Sequence, residues 1–181
     1  MGPLATAAQL NDCIDGVALL ESCARRVHGT GQRIDGVGNE PGNGYMFGPT
    51  LLRTDDSPNA SAIHNHEVFG PVATLCPYDG AAPEAASLVA LGGGSLVTSV
   101  YSNDSSWVTE FVAAGGSHSG RLYLGSDKMA SQAGGSGIAL PQSTHGGPGR
   151  AGGGEELGGQ RGLAPYLQRV ALQGSRRMLE D

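Results

Sequence analysis

From Pro71 to Leu124 the chain alternates apolar, β-branched runs with amphipathic segments, and this alternation restricts the fold more than any other feature. Pro71 to Tyr78 reads as a buried strand. Pro83 to Leu91 reads as a short helix with proline at its start, where a missing N–H costs nothing. Ser95 to Tyr101 (SLVTSVY) is a β-branched strand. Asp104 is placed to cap a helix running to Ala114, with Trp107, Val108, Phe111 and Val112 on one face. Arg121 to Leu124 reads as the next strand. Strand, helix, strand, helix, strand at this spacing predicts an α/β fold of βαβ units with parallel pairing and right-handed crossovers.

The flanks are less regular. Ala5 to Val27 reads as a helix, because Leu10, Cys13, Ile14, Val17, Leu20 and Ala24 recur at three- and four-residue steps, and Gly29 and Gly31 end it. Residues 29–44 read as a glycine-rich loop around one short strand at most. Tyr45 to Leu52 suggests a strand interrupted by a turn, and Asp55 to His66 a polar loop. Gly125 to Gly162 is mostly glycine, serine and other small residues. Tyr166 to Leu172 reads as a strand before a charged tail. A chain of 181 residues suffices for one domain with a real core but is short for two.

Composition narrows the function classes. The net charge of −6 argues against a nucleic-acid or anionic-membrane surface. No apolar run approaches the roughly 18 residues of a membrane span. The start lacks a basic and then apolar leader, so a reducing cytoplasm is the expectation. Cys13, Cys23 and Cys76 are irregularly spaced, form no CxxC pair, and read as small buried hydrophobes.

Glu67-Val68-Phe69-Gly70-Pro71-Val72 is the densest candidate for chemistry. A carboxylate can accept hydrogen bonds from both hydroxyls of a ribose, and an aromatic two residues on can lie against a flat heterocycle. Gly70 and Pro71 fix the backbone between them and the strand behind. The alternative is an ordinary exposed turn acid and a core phenylalanine. Gly147, Gly149 and Gly152 satisfy G-x-G-x-x-G, but that fingerprint needs a strand before it and a helix after it. A structural loop, with glycines at positive φ or in close packing, is the better reading. His64 and His66 lie beside Glu67 without the further ligands a zinc site needs, and read as solvated loop histidines. Glu155 and Glu156 read as a helix start, favoured by the dipole.

Several blocks, in order, resemble the aldehyde dehydrogenase superfamily. Phe47-x-Pro49-Thr50-Leu51-Leu52 is similar to the family's F-x-P-T strand, and Glu67 to Val72 to its E-x-F-G-P-V signature. Tyr101-Ser102-Asn103-Asp104 resembles a strand end and helix cap, the glycine block Gly147 to Gly158 the late glycine segment, and Tyr166-Leu167-Gln168 the final strand. Leu140-Pro141-Gln142, the block from His145 to Gly159, and Gln168-Arg169-x-Ala171-x-Gln173-Gly174-Ser175 look most like one branch. That branch is the semialdehyde dehydrogenase module of the phenylacetate-degradation bifunctional protein and its benzoyl-CoA-pathway relatives.

The resemblance implies the later part of an aldehyde dehydrogenase catalytic domain over residues 1–162, an oligomerisation strand over 163–175, and a tail over 176–181. It implies Glu67 as the ribose-binding glutamate, Phe69 beside the nicotinamide, and NADP (or NAD) as cofactor. The substrate implied is an aldehyde, a CoA-thioester semialdehyde of aromatic degradation. In the family's order the cysteine nucleophile and the general base lie upstream of Met1. Cys13 and Cys23 match a helix that follows the nucleophile, so neither takes that role. The isolated chain is then expected to be inactive, and the full-length protein a homo-oligomer. An alternative is a non-catalytic module pairing through its terminal strand with an intact dehydrogenase. A domain lacking its first half leaves apolar faces without partners. The isolated chain should therefore be poorly soluble or partly molten, with a broad near-UV circular dichroism melt; a sharp cooperative transition at ordinary temperature would contradict this.

Overall fold

The computed structural model describes residues 2–131, 135, 137–138, 143–155, 160, 163, 166–168 and 170–180. Leu140-Pro141-Gln142, Glu156 to Gly159 and Arg169 lie outside these residues.

Helix α1 spans Ala7–Leu20 and buries Leu10, Cys13, Gly16, Val17 and Leu20 on one face. It ends at Leu20 rather than Val27. Glu21, Ser22 and Cys23 close the last turn on the carbonyls of Val17, Leu19 and Leu20, and the Arg26 guanidinium pairs with Glu21 at 2.8 Å. Arg25–His28 is instead strand β1, antiparallel to β2 (Thr50–Arg53). Residues with fair helix propensity are taken by a ladder whose middle strand buries Leu52 completely.

The strand looked for within 29–44 reduces to a bridge between Arg33 and Phe47. Gly48-Pro49 interrupts the next extended segment, as expected, and β2 begins at Thr50. Strand β3 (Val72–Leu75) runs parallel to β2, from Thr50↔Val72 to Arg53↔Leu75. It alternates half-buried and exposed residues, so it is covered on one side, not buried as predicted. The polar loop before it holds a single helical turn, α2 (Ser61–Asn65).

Helices α3 (Ala82–Leu91) and α4 (Ser105–Gly115) alternate with β4 (Ser95–Tyr101) and β5 (Ser119–Gly125), close to the predicted boundaries. β4 and β5 pair in parallel from Ser95↔Ser119 to Tyr101↔Gly125. Their core is Ala82, Ala86, Val100 and Phe111, with Trp107, Val108 and Leu122 packed against it. Trp107 stacks on Phe111 at 5.5 Å and donates its indole N–H to the Gly80 carbonyl at 2.7 Å. The α/β class with parallel strands is present, but in separate sheets: β1-β2-β3 and β4-β5. The strands that flank α3 therefore do not pair with each other.

Two-residue strands β6 (Thr144–His145) and β7 (Gly154–Glu155) pair antiparallel. Glu155 is thus in an extended pair and does not start a helix. Among the described residues of 166–175 no strand is formed, and Tyr166, Leu167, Val170 and Leu172 are exposed. An extended segment becomes a strand only when another edge takes up its backbone groups. The tail contains a short helix, Arg176–Glu180.

The Asp104 carboxylate caps α4, accepting from the N–H groups of Ser106 at 2.9 Å and Trp107 at 3.1 Å. Asp104→Ala should cost the helix about 1 kcal/mol. The expected readout is roughly fivefold faster hydrogen exchange across Val108 to Phe111, with the β2–β3 amides unchanged.

Candidate functional site

The segment Glu67–Val72 crosses from α2 to β3 through two tight turns. The Gly70 N–H donates to the Val68 carbonyl at 2.9 Å and the Val72 N–H to the Gly70 carbonyl at 2.8 Å. Such i to i+2 turns centre on Phe69 and then Pro71. The Pro71 carbonyl accepts from Thr50 N–H at 2.9 Å and opens the β2–β3 ladder. Phe69 is left 72% exposed.

Helix α1 holds this segment from behind. A Cβ added to Gly70 would lie 2.1 Å from the Cys13 sulfur, and one added to Gly16 would lie 2.8 Å from a Val68 methyl. Both glycines are therefore required for close approach. Cys13 is buried, and its thiol donates to the Phe69 carbonyl at 3.5 Å. Burial, and then the Asp12 carboxylate, push the Cys13 thiol above its ordinary pKa. The thiolate is the nucleophile, so Cys13 serves packing, as the sequence suggested. Cys23 and Cys76 are only half-buried; burial, and then Cys23, push the Cys76 thiol up.

Glu67 and Phe69 both line a cleft of about 870 Å³. The opposite wall is the start of β4, from Gly94 to Ser99, and Arg150 to Gly152 bound it as well. Glu67 is exposed, and among the described residues its carboxylate has no hydrogen-bond or ionic partner. His64 and His66 also reach the cleft, but the His64 ring is tied to the Ser57 carbonyl at 2.6 Å.

The glycine block is used for close packing between loops. The Arg150 N–H donates to the Gly93 carbonyl at 2.9 Å. A Cβ on Gly149 would sit 1.9 Å from that carbonyl oxygen, and one on Gly94 would sit 2.0 Å from the Pro148 oxygen. Gly94 and Gly149 both have positive φ, where a side chain is strained. β6 precedes Gly147 and β7 follows Gly152, which is not the strand-then-helix setting of a dinucleotide fingerprint.

Several features of the site were not read from the sequence. Arg150 reaches the cleft only through the loop packing. Ser95, Thr98 and Ser119 join hydroxyls across β4 and β5, with Thr98 and Ser119 2.6 Å apart. The docking of α1 escaped notice too, although Thr6-Ala7-Ala8-Gln9 carries a legible capping-box pattern.

The mixed α/β fold with parallel strand pairs is shared by solved dehydrogenases. A betaine aldehyde dehydrogenase from Staphylococcus aureus matches at TM-score 0.70 and 24% identity, covering 92% of this chain and 30% of that one. A 3,6-anhydro-L-galactose dehydrogenase solved with NAP matches at TM-score 0.69 and 22% identity, covering 93% and 32%. The chain belongs to the aldehyde dehydrogenase family, whose profile matches residues 1–170. Protein MaoC of Klebsiella aerogenes is 38% identical over 179 residues, covering 99% of this chain and 52% of the relative. A 3,4-dehydroadipyl-CoA semialdehyde dehydrogenase of Aromatoleum evansii is 34% identical over 148 residues, covering 82% and 28%. The chain thus spans about half the length of the first relative and less of the second.

Gly70→Ala should cost about 1–3 kcal/mol, because the new methyl meets the Cys13 sulfur. Cys13→Ala should relieve it, since the added Cβ lies 3.7 Å from the Cys13 Cβ. Hydrogen exchange of the Leu51 and Leu52 amides should then show non-additivity of about 1 kcal/mol or more in the double variant. Strictly additive losses would separate the two residues.

Proposed function

We propose that this chain is the later part of the catalytic domain of an NAD(P)-dependent aldehyde dehydrogenase, forming the ribose and nicotinamide edge of its cofactor site. The observation that carries this reading is the joint position on one cleft of an exposed Phe69 ring and an exposed Glu67 carboxylate that has no partner among the described residues. An acceptor-only carboxylate suits the two donor hydroxyls of a ribose. A ring held two residues away by tight turns suits the face of a flat heterocycle. Oxidised nicotinamide, when bound, supplies the acceptor for the hydride of the aldehyde. Glu67 binds and orients, Phe69 sets the plane of the ring, and α1 with the Gly70 turn keeps the two at a fixed spacing. The cysteine thiolate and the base that act on the aldehyde come from a part of the enzyme outside these 181 residues. NADP⁺ is the preferred cofactor in this reading.

The substrate class is a CoA-thioester semialdehyde of aromatic degradation. Support comes from the Aromatoleum relative, whose name specifies a CoA-linked semialdehyde. The working compartment is the cytoplasm; among the described residues no helix is long and apolar enough to cross a membrane.

A second reading has its own observation. Tyr166, Val170 and Leu172 are 85%, 72% and 76% exposed, and the segment 163–175 can add a strand to the edge of another subunit. It serves oligomerisation within the full-length enzyme, or makes this chain a non-catalytic partner of an intact dehydrogenase. Co-elution with a full-length relative in size-exclusion chromatography supports the partner role, and separate elution counts against it.

Calorimetric titration of the chain with NADP⁺ tests the cofactor site. Glu67→Ala should weaken binding about 10- to 100-fold, the loss expected for hydrogen bonds to a charged acceptor. Affinity unchanged in Glu67→Ala would move the nucleotide to the glycine block. No aldehyde-dependent reduction of NADP⁺ is expected from the chain alone, and turnover by the purified chain would overturn the divided active site.

A further inference from the structure

We propose that Gln9 is a positioning residue for the Phe69 turn, acting through the Phe69 carbonyl with the same side chain that closes the start of α1. Its value for the cofactor rests on the reading of Phe69 as the ring beside the nicotinamide.

Gln9 is the fourth residue of the capping-box sequence Thr6-Ala7-Ala8-Gln9. Its backbone N–H donates to the Thr6 hydroxyl at 3.1 Å, and its Oε1 accepts from the Ala5 N–H at 2.9 Å. These bonds satisfy the start of the helix. A glutamate would serve that purpose equally well, and its charge would suit the positive end of the helix dipole. The other half of the amide has a different task. Gln9 Nε2 donates to the Phe69 carbonyl at 3.1 Å, across 60 residues of sequence. Glutamate has no such donor, and it would set a carboxylate oxygen against the carbonyl oxygen. The Cys13 thiol donates to the same carbonyl at 3.5 Å, from one helical turn further along α1.

That carbonyl anchors the backbone from which the ring projects. It belongs to the central residue of the three-residue turn closed by Gly70 N–H and the Val68 carbonyl. Holding it restrains the peptide plane after Phe69, and with the turn closed around it limits where the Phe69 Cα–Cβ bond can point. The ring itself has little packing to hold it. It is 72% exposed and lines both the cleft of about 870 Å³ and a hollow of about 500 Å³ that also touches Gln9, Phe47 and Leu4. Two donors on one backbone oxygen supply the restraint that side-chain burial does not.

The variants Gln9→Glu and Gln9→Ala separate the two tasks in the full chain. Gln9→Glu keeps the cap and loses the donor, whereas Gln9→Ala loses both. Hydrogen exchange with mass-spectrometric readout should rise about five- to tenfold across 66–72 in both variants, the range for a lost hydrogen bond. Exchange in the first turn of α1 should rise only in Gln9→Ala. The dissociation constant for NADP⁺ should rise by a similar factor in Gln9→Glu. Wild-type exchange across 66–72 in Gln9→Glu would overturn the proposal. Faster exchange there with unchanged NADP⁺ affinity would also overturn it, leaving a bond of structural value only. If the wild-type chain itself takes up no NADP⁺, the cofactor reading of Glu67 and Phe69 fails. The exchange comparison then still decides whether Gln9 holds the turn.

Discussion

The Cys13 sulfur packs so tightly against Gly70 on the back of the candidate site that a β-carbon there would meet it, and the rest of the site depends on this contact. No side chain larger than hydrogen fits at position 70 while the sulfur stays where it is. The same helix meets Val68 at Gly16, one turn further on. Together these contacts bring α1 against the turn closely enough for hydrogen bonds to reach a backbone carbonyl. The turn then delivers Val72 into register with Thr50, so the placement of α1 propagates into the β2–β3 ladder. Glu67 and Phe69 owe their shared wall of the cleft to this arrangement, because among the described residues neither side chain has a hydrogen-bond or ionic partner to fix it.

Elements whose cause is local were legible in the sequence. The α4 cap is a case: Asp104 meets the N–H groups of residues two and three positions on. Strand β4 and the proline-started α3 follow from β-branching and from the missing N–H of Pro83, which are also properties of short windows. Misreadings came where a distant partner decides. Arg25–His28 is extended because β2 offers it a ladder, and nothing within those four residues says so. Glu155 is paired with Thr144, and a pairing of two residues leaves no periodicity to detect. The cysteines divided by burial: Cys13 fills a space that only the fold defines, whereas Cys23 and Cys76 are half-exposed. The motif at Glu67 identified the family because its residues are contiguous. The support beneath it, from Gln9, Cys13 and Gly16, could not be read the same way, since it lies more than fifty residues earlier in the chain.

The cleft spans two sheets that share no ladder, and this bears on what the chain can do. One wall belongs to the β1-β2-β3 sheet through the turn that enters β3, and the other to β4 and the end of α3. Backbone hydrogen bonds would fix the walls relative to each other if β3 and β4 were neighbours, but they are not. The Arg150 N–H bond to the Gly93 carbonyl, with the glycines that permit it, ties the late loop to the β4 side only. The Glu67 side is tied to α1. The spacing between the Glu67 carboxylate and the β4 wall is therefore set by packing across the cleft, which is softer than a shared ladder. Material that adds backbone pairing between the two sheets would stiffen the cleft directly.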